Sequence, residues 1–142
     1  MKSLLTVLSC LLLTYGSINA AEPERCGQCG MELSKYLRTR YEITWSDGTV
    51  MRTCGVQCGL TQQLKHGDKF RSSVAKDYMT GKLFDARQGY YVFSSRVLAD
   101  MAPGFIAFET KENADNFQKE NGGKVLSFDE SLAVWRERKT KR

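Results

Sequence analysis

Two stretches of this chain follow the same succession of patterns, and that repetition limits the fold more than any other feature of the 142 residues. In the first stretch, Tyr41, Ile43 and Trp45 alternate with polar neighbours. Ser46-Asp47-Gly48-Thr49 then offers the Asp-Gly turn favoured in two-residue hairpins, and Val50 to Thr53 returns. Val56, Leu60 and Leu64 recur every fourth residue up to His66-Gly67, the signature of a short amphipathic helix with a glycine stop. An extended stretch follows near Ser73 to Met79. In the second stretch, Tyr90 to Ser94 and Phe105 to Phe108 are strand candidates. Thr110 caps a polar helix over 111–121 with Ala114 and Phe117 inward, Gly122-Gly123 stops it, and 124–128 alternates as a strand. Strand, strand, helix, strand is therefore predicted twice, followed by a last helix from Asp129 to about Lys139 with Leu132 and Trp135 inward. The parts predict an α+β fold: two similar ββαβ units, about 26–80 and 81–130, packed as one small body with a C-terminal helix. Residues 81–89 are the expected hinge between them.

The ends of the chain set the compartment. Lys2 supplies a basic start, Leu4 to Leu13 an apolar run and Ser17 to Ala20 a small-residue end, the pattern of a secretion signal over residues 1–20. The run is about half of the roughly 20 residues a membrane-crossing helix needs, so no permanent span is expected. Cys10 falls before the apolar run has finished, so a lipid anchor fits less well than cleavage further on. The expected product is a single periplasmic domain, 21–142. Its surplus positive charge gathers in Arg136, Arg138, Lys139, Lys141 and Arg142, a solvated end without the basic-aromatic stripe of a nucleic-acid binder.

Chemistry concentrates in Cys26-Gly27-Gln28-Cys29-Gly30-Met31, two thiols and a thioether within six positions. Such polarisable donors favour Cu(I), whereas carboxylates and carbonyls favour harder ions. Cys54 and Cys58 form a second pair, one helical turn apart, on a face nearly opposite Val56, Leu60 and Leu64 and so free to point toward the first motif. Three uses of these four cysteines compete. The spacings suit a structural zinc site, an exported domain commonly forms disulfides, and a Cu(I) site would combine some thiols with Met31 and a distant methionine. Met31 favours copper; the compartment favours disulfides. A thiol-disulfide oxidoreductase using Cys26 and Cys29 is the enzymatic alternative, but no strand is expected before that motif, and no Ser-His-Asp set or phosphate loop accompanies it. The chain is therefore not expected to be an enzyme. Met51 and Met79 are expected to fill core gaps, and the lone His66 to sit at a helix end on the surface. Met101 lies in the turn Asp100-Met101-Ala102-Pro103-Gly104, where an exposed thioether gains little from burial.

From Cys26 to Glu130 the chain resembles the NosL family of periplasmic copper chaperones, the accessory proteins of nitrous oxide reductase. The resemblance rests on Cys29-Gly30-Met31, the Met101 to Gly104 turn, Phe105-Ile106-Ala107-Phe108-Glu109-Thr110, and the ending Gly122-Gly123-Lys124-Val125-Leu126-Ser127-Phe128. It implies two ββαβ units related to the organomercurial lyase architecture. It also implies a Cu(I) site built from Cys29, Met31 and Met101 that supplies nitrous oxide reductase, with a membrane copper-supply or assembly complex as a further partner; the position of Cys29 and Met31 in the chain sets them close to an N-terminus expected to be flexible. Cys26, Cys54 and Cys58 are additional to that set and keep zinc open as the alternative ion.

Overall fold

The computed structural model describes residues 22–141, so the expected signal segment, with Cys10, lies outside them. The first hairpin pairs β1 (Tyr41–Trp45) with β2 (Val50–Thr53). Its loop has three residues rather than two. Trp45 N–H donates to the Thr49 carbonyl and Gly48 N–H to the Trp45 carbonyl, each at 2.9 Å, with Gly48 at φ 87°. Asp47 Oδ1 accepts from Thr49 N–H at 2.9 Å, so the aspartate closes the turn locally and the glycine takes the left-handed position of a bulged three-residue loop.

Helix α1 (Val56–Lys65) follows and lies close on β1, because Gly59 leaves room for the Tyr41 ring. A Cβ at Gly59 would stand 2.2 Å from Tyr41 Cδ1. Tyr41 is fully buried, and its hydroxyl bonds Gln63 and Ser73. Strand β3 (Phe70–Lys76) pairs antiparallel with β1. The segment expected as a hinge does more than connect: β4 (Leu83–Asp85) pairs with β3, giving a four-stranded sheet of order β2-β1-β3-β4, and a short turn of 3-10 helix covers Ala86–Gln88.

The second unit repeats the plan. Strands β5 (Tyr90–Phe93), β6 (Phe105–Phe108) and β7 (Lys124–Ser127) form an antiparallel sheet of order β6-β5-β7, matching β2-β1-β3 of the first unit. Helix α2 (Lys111–Asn121) stands between β6 and β7, and α3 (Phe128–Thr140) starts on a capping box formed by Ser127 and Glu130. The two sheets, three helices and doubled ββαβ order are the expected α+β fold.

The halves share one core. Tyr41, Ile43, Val56, Leu60 and Ala75 from the first unit pack with Tyr91, Phe105, Leu126 and the α3 residues Phe128 and Trp135. The opposite face of the second sheet is closed by α2 through Val92, Ile106, Phe108, Ala114 and Phe117. A buried carboxylate also joins the units: Asp77 accepts from Met79 and Thr80 N–H in its own turn and from Glu109 N–H at the end of β6. Met79 itself is 61% exposed, against the expectation that it fills the core, because this Asp77 turn carries it outward. Met51 does pack, filling the space above Gly27. Among the described residues no helix is long and apolar enough to cross a membrane.

Candidate metal centre

The first cysteine motif is a hydrogen-bonded turn anchored to the hairpin, not a loose end. Cys26 N–H donates to the Met31 carbonyl at 2.8 Å, Gly30 N–H to the Cys26 carbonyl at 2.9 Å, and Gly27 N–H to the Arg52 carbonyl of β2 at 2.9 Å. Gly30, at φ 77°, supplies the left-handed residue that turns the chain back. Glu24 pins the approach by pairing with Arg40 and Arg52. Among the described residues, backbone hydrogen bonds and these ion pairs tie the segment around Cys29 and Met31 to the first hairpin.

Cys54 closes β2's exit and Cys58 lies in the first turn of α1, so the helix start carries its sulfurs toward the Cys26–Cys29 turn. The four Sγ atoms of Cys26, Cys29, Cys54 and Cys58 all lie within 4.8 Å of one another. Cys54 stands 3.6 Å from Cys29 and 3.7 Å from Cys58, and all four are free thiols. Cys26, Cys54 and Cys58 are buried with Leu33 in a small cluster of their own, while Cys29 is exposed. The Thr39 hydroxyl fixes the backbone there by donating to the Cys54 carbonyl at 2.7 Å.

The methionines occupy two different positions. Met31 packs against the thiol cluster, where the Tyr36 hydroxyl donates to its Sδ at 3.3 Å. Met101, 36% exposed, lines a shallow depression of about 130 Å³ together with Cys29, Cys58, Gln57, Pro103 and Trp135. The structure therefore brings the four cysteines together, lays Met31 beside them and sets Met101 at the mouth. His66 caps the far end of α1, with its ring edge-on to Trp45, and takes no part.

Charge within the cluster is uneven. The Cys54 thiol, then the Cys58 thiol, donate to Cys26 and pull its ionisation far below the ordinary thiol value. Cys54 and Cys58 move the other way, both raised first by their interaction with Cys26. Ionisation is thus favoured at Cys26 and disfavoured at Cys54 and Cys58, and a cation that took the latter two as thiolates would displace their protons.

Two groups at this site carry no motif. Asp100 places both carboxylate oxygens in the interior with no hydrogen-bond partner, and burial pushes its ionisation up to about 6. Gly55 lies directly beneath that carboxylate. In the sequence Asp100 reads as an ordinary turn residue, and only the contact with Gly55 distinguishes it.

Comparison with known proteins agrees with this architecture. A family model described as NosL matches residues 17–133. No curated protein matches. The crystal structure of the copper chaperone NosL from Shewanella denitrificans superposes with a TM-score of 0.71 at 20% identity, covering 75% of this chain and 88% of that one.

Proposed function

Because this chain belongs to the NosL family, we propose that it binds Cu(I) at the four-cysteine centre and delivers it to an exported copper enzyme, with nitrous oxide reductase as the client. The observation that carries this reading is the convergence of four thiols with Cys29 exposed beside Met101. Soft donors retain Cu(I), and an exposed donor at the edge gives a recipient somewhere to begin ligand exchange. In this reading Cys29, Met31 and Met101 form the outer, exchangeable part of the site, and Cys26, Cys54 and Cys58 the inner part. The segment 1–20 directs the chain to the periplasm, and a membrane copper-supply or assembly complex loads it. The protein is a carrier and catalyses no reaction of its own.

Titration of the reduced protein against a colorimetric Cu(I) chelator tests the binding. One Cu(I) per chain is expected, with most affinity lost in Cys29→Ser and a smaller loss in Met31→Ala. Unchanged affinity in Cys29→Ser refutes the assignment. For delivery, a deletion strain should export its nitrous oxide reductase short of copper, with activity returning when copper is raised. Full copper content of that enzyme under limiting copper would reject the carrier role.

One observation favours a second reading. Sulfur separations of 3.6 and 3.7 Å are close to the ~3.8 Å between ligands of a tetrahedral four-thiolate zinc site with Zn–S of about 2.3 Å. Metal analysis of protein purified without oxidation, together with competition between Zn(II) and Cu(I), separates the two. Retention of zinc against equimolar Cu(I) would make the centre structural.

A further inference from the structure

Between β5 and β6 the chain crosses residues 94–104, a long connection that carries Met101 at its far end. Beside the thiols, this connection meets the first unit in one very close approach. A Cβ built on Gly55 would lie 2.0 Å from Asp100 Oδ2 and 2.6 Å from Asp100 Cγ, so the carboxylate fills the space a side chain at 55 would need. Gly55 is in extended backbone, φ −166°, which any residue adopts. Its lack of a side chain therefore answers to Asp100 and not to backbone strain.

The carboxylate's surroundings point the same way. Gly55 is the N-cap of α1 and makes no side-chain cap, so the amides that open the helix face a partial positive end where a negative group is favoured. Yet both Asp100 oxygens are buried without a hydrogen-bond partner, an arrangement that costs free energy when stability alone is considered. The loop is closed behind Asp100 by Gly104, where a Cβ would meet the Met101 carbonyl oxygen at 2.8 Å, and by Ser94 N–H donating to the Gly104 carbonyl at 3.0 Å. Gly55 is flanked by Cys54 and is three residues from Cys58, while Asp100 directly precedes Met101. The same contact therefore links the inner thiols to the outer methionine.

We infer that Asp100, seated on Gly55, is the positioning residue that holds Met101 at the mouth of the four-thiol cluster. The inference rests on the reading of Met101 as an outer donor to Cu(I) and adds the group that places it.

The test combines two measurements on the reduced full chain. In Cu(I) titrations, Met101→Ala and Asp100→Ala should each weaken binding by about tenfold, and the double variant should be no weaker than Met101→Ala alone. Asp100→Asn, which keeps the shape, should retain most of the affinity. Gly55→Ala, whose methyl displaces the carboxylate, should match Asp100→Ala. In the metal-free protein, amide exchange over 99–104 should quicken in Asp100→Ala and Gly55→Ala, with β5 and β6 unchanged, and stay at the wild-type rate in Met101→Ala. Additive losses in the double variant, or unchanged exchange over 99–104, overturn the inference. Failure of the wild-type protein to bind Cu(I), or unaltered affinity in Met101→Ala, strikes the binding assignment instead, and the exchange rates then decide the positioning role by themselves.

Discussion

Helix α2 begins on Thr110, whose hydroxyl accepts from Asn113 N–H, and its inner face, Ala114 and Phe117, does nothing but close the second sheet. Its counterpart α1 begins on Gly55 with no side chain on its free amides and carries Cys58 in its first turn and Cys54 just before it. It also has two inner faces: Val56 and Leu60 enter the shared core while Cys58 enters the thiol cluster. The two units have the same strand order and the same helix position, so the difference is local. One helix start is capped by its own side chain, and the other leaves its cap position bare beneath Asp100, with Cys54 and Cys58 on either side of it.

Removing a sulfur from the first helix start should have the largest effect. Cys54 touches both Cys29 and Cys58, so Cys54→Ser should lower Cu(I) affinity at least a thousandfold, about 4 kcal/mol, with little change in the unfolding temperature of the metal-free protein. Retained affinity would erase the distinction between the helices. The complementary change in the second unit, Phe117→Ala, should cost about 3–4 kcal/mol of folding stability by emptying the space under α2, and Cu(I) affinity measured below the transition should stay as it was. An accompanying loss of affinity would mean that the two units are not energetically separate.

Proton release sharpens the comparison further. Interaction with Cys26 raises Cys54 and Cys58 above the ordinary thiol value, while those two lower Cys26. An ion that takes Cys54 and Cys58 as thiolates must displace two protons, so its affinity should fall as pH falls, by about tenfold per proton per pH unit. From pH 8 to 7 a drop of a hundredfold or more identifies Cys54 and Cys58 as ligands. A drop of tenfold or less excludes Cys54 and Cys58 as thiolate ligands. The smallest effect belongs to the capped helix: Thr110→Ala should lower stability by about 1 kcal/mol in denaturant titrations, with binding untouched.

Alternation of Tyr41, Ile43 and Trp45, and the four-residue spacing of Val56, Leu60 and Leu64, made the hairpin and helix of the first unit legible, because these residues pack into or against the shared core. The direction of Cys54 and Cys58 was legible from their spacing, which sets them on a side away from Val56 and Leu60. Strand β4 was not, because it is three residues long and buries only Phe84, too little to alternate. The anchoring of the Cys26–Met31 turn was hidden in its backbone hydrogen bonds, one of them from Gly27 to Arg52, which no residue pattern records. The place of Asp100 depends on a glycine 45 positions earlier, and pairings across such a distance are settled by tertiary packing alone.

The burial of three thiols and the exposure of the fourth bear on rates as well as on affinity. An ion held by this set has no open route through Cys26, Cys54 or Cys58, so spontaneous dissociation would require several bonds to break in turn. A competing thiolate arriving at Cys29 needs to displace only one. Release should then be second order, its rate rising with acceptor concentration, while the lifetime of the ion in the absence of an acceptor stays long. Under that regime the exposed sulfur governs how quickly the ion leaves and the buried ones govern how little escapes in between.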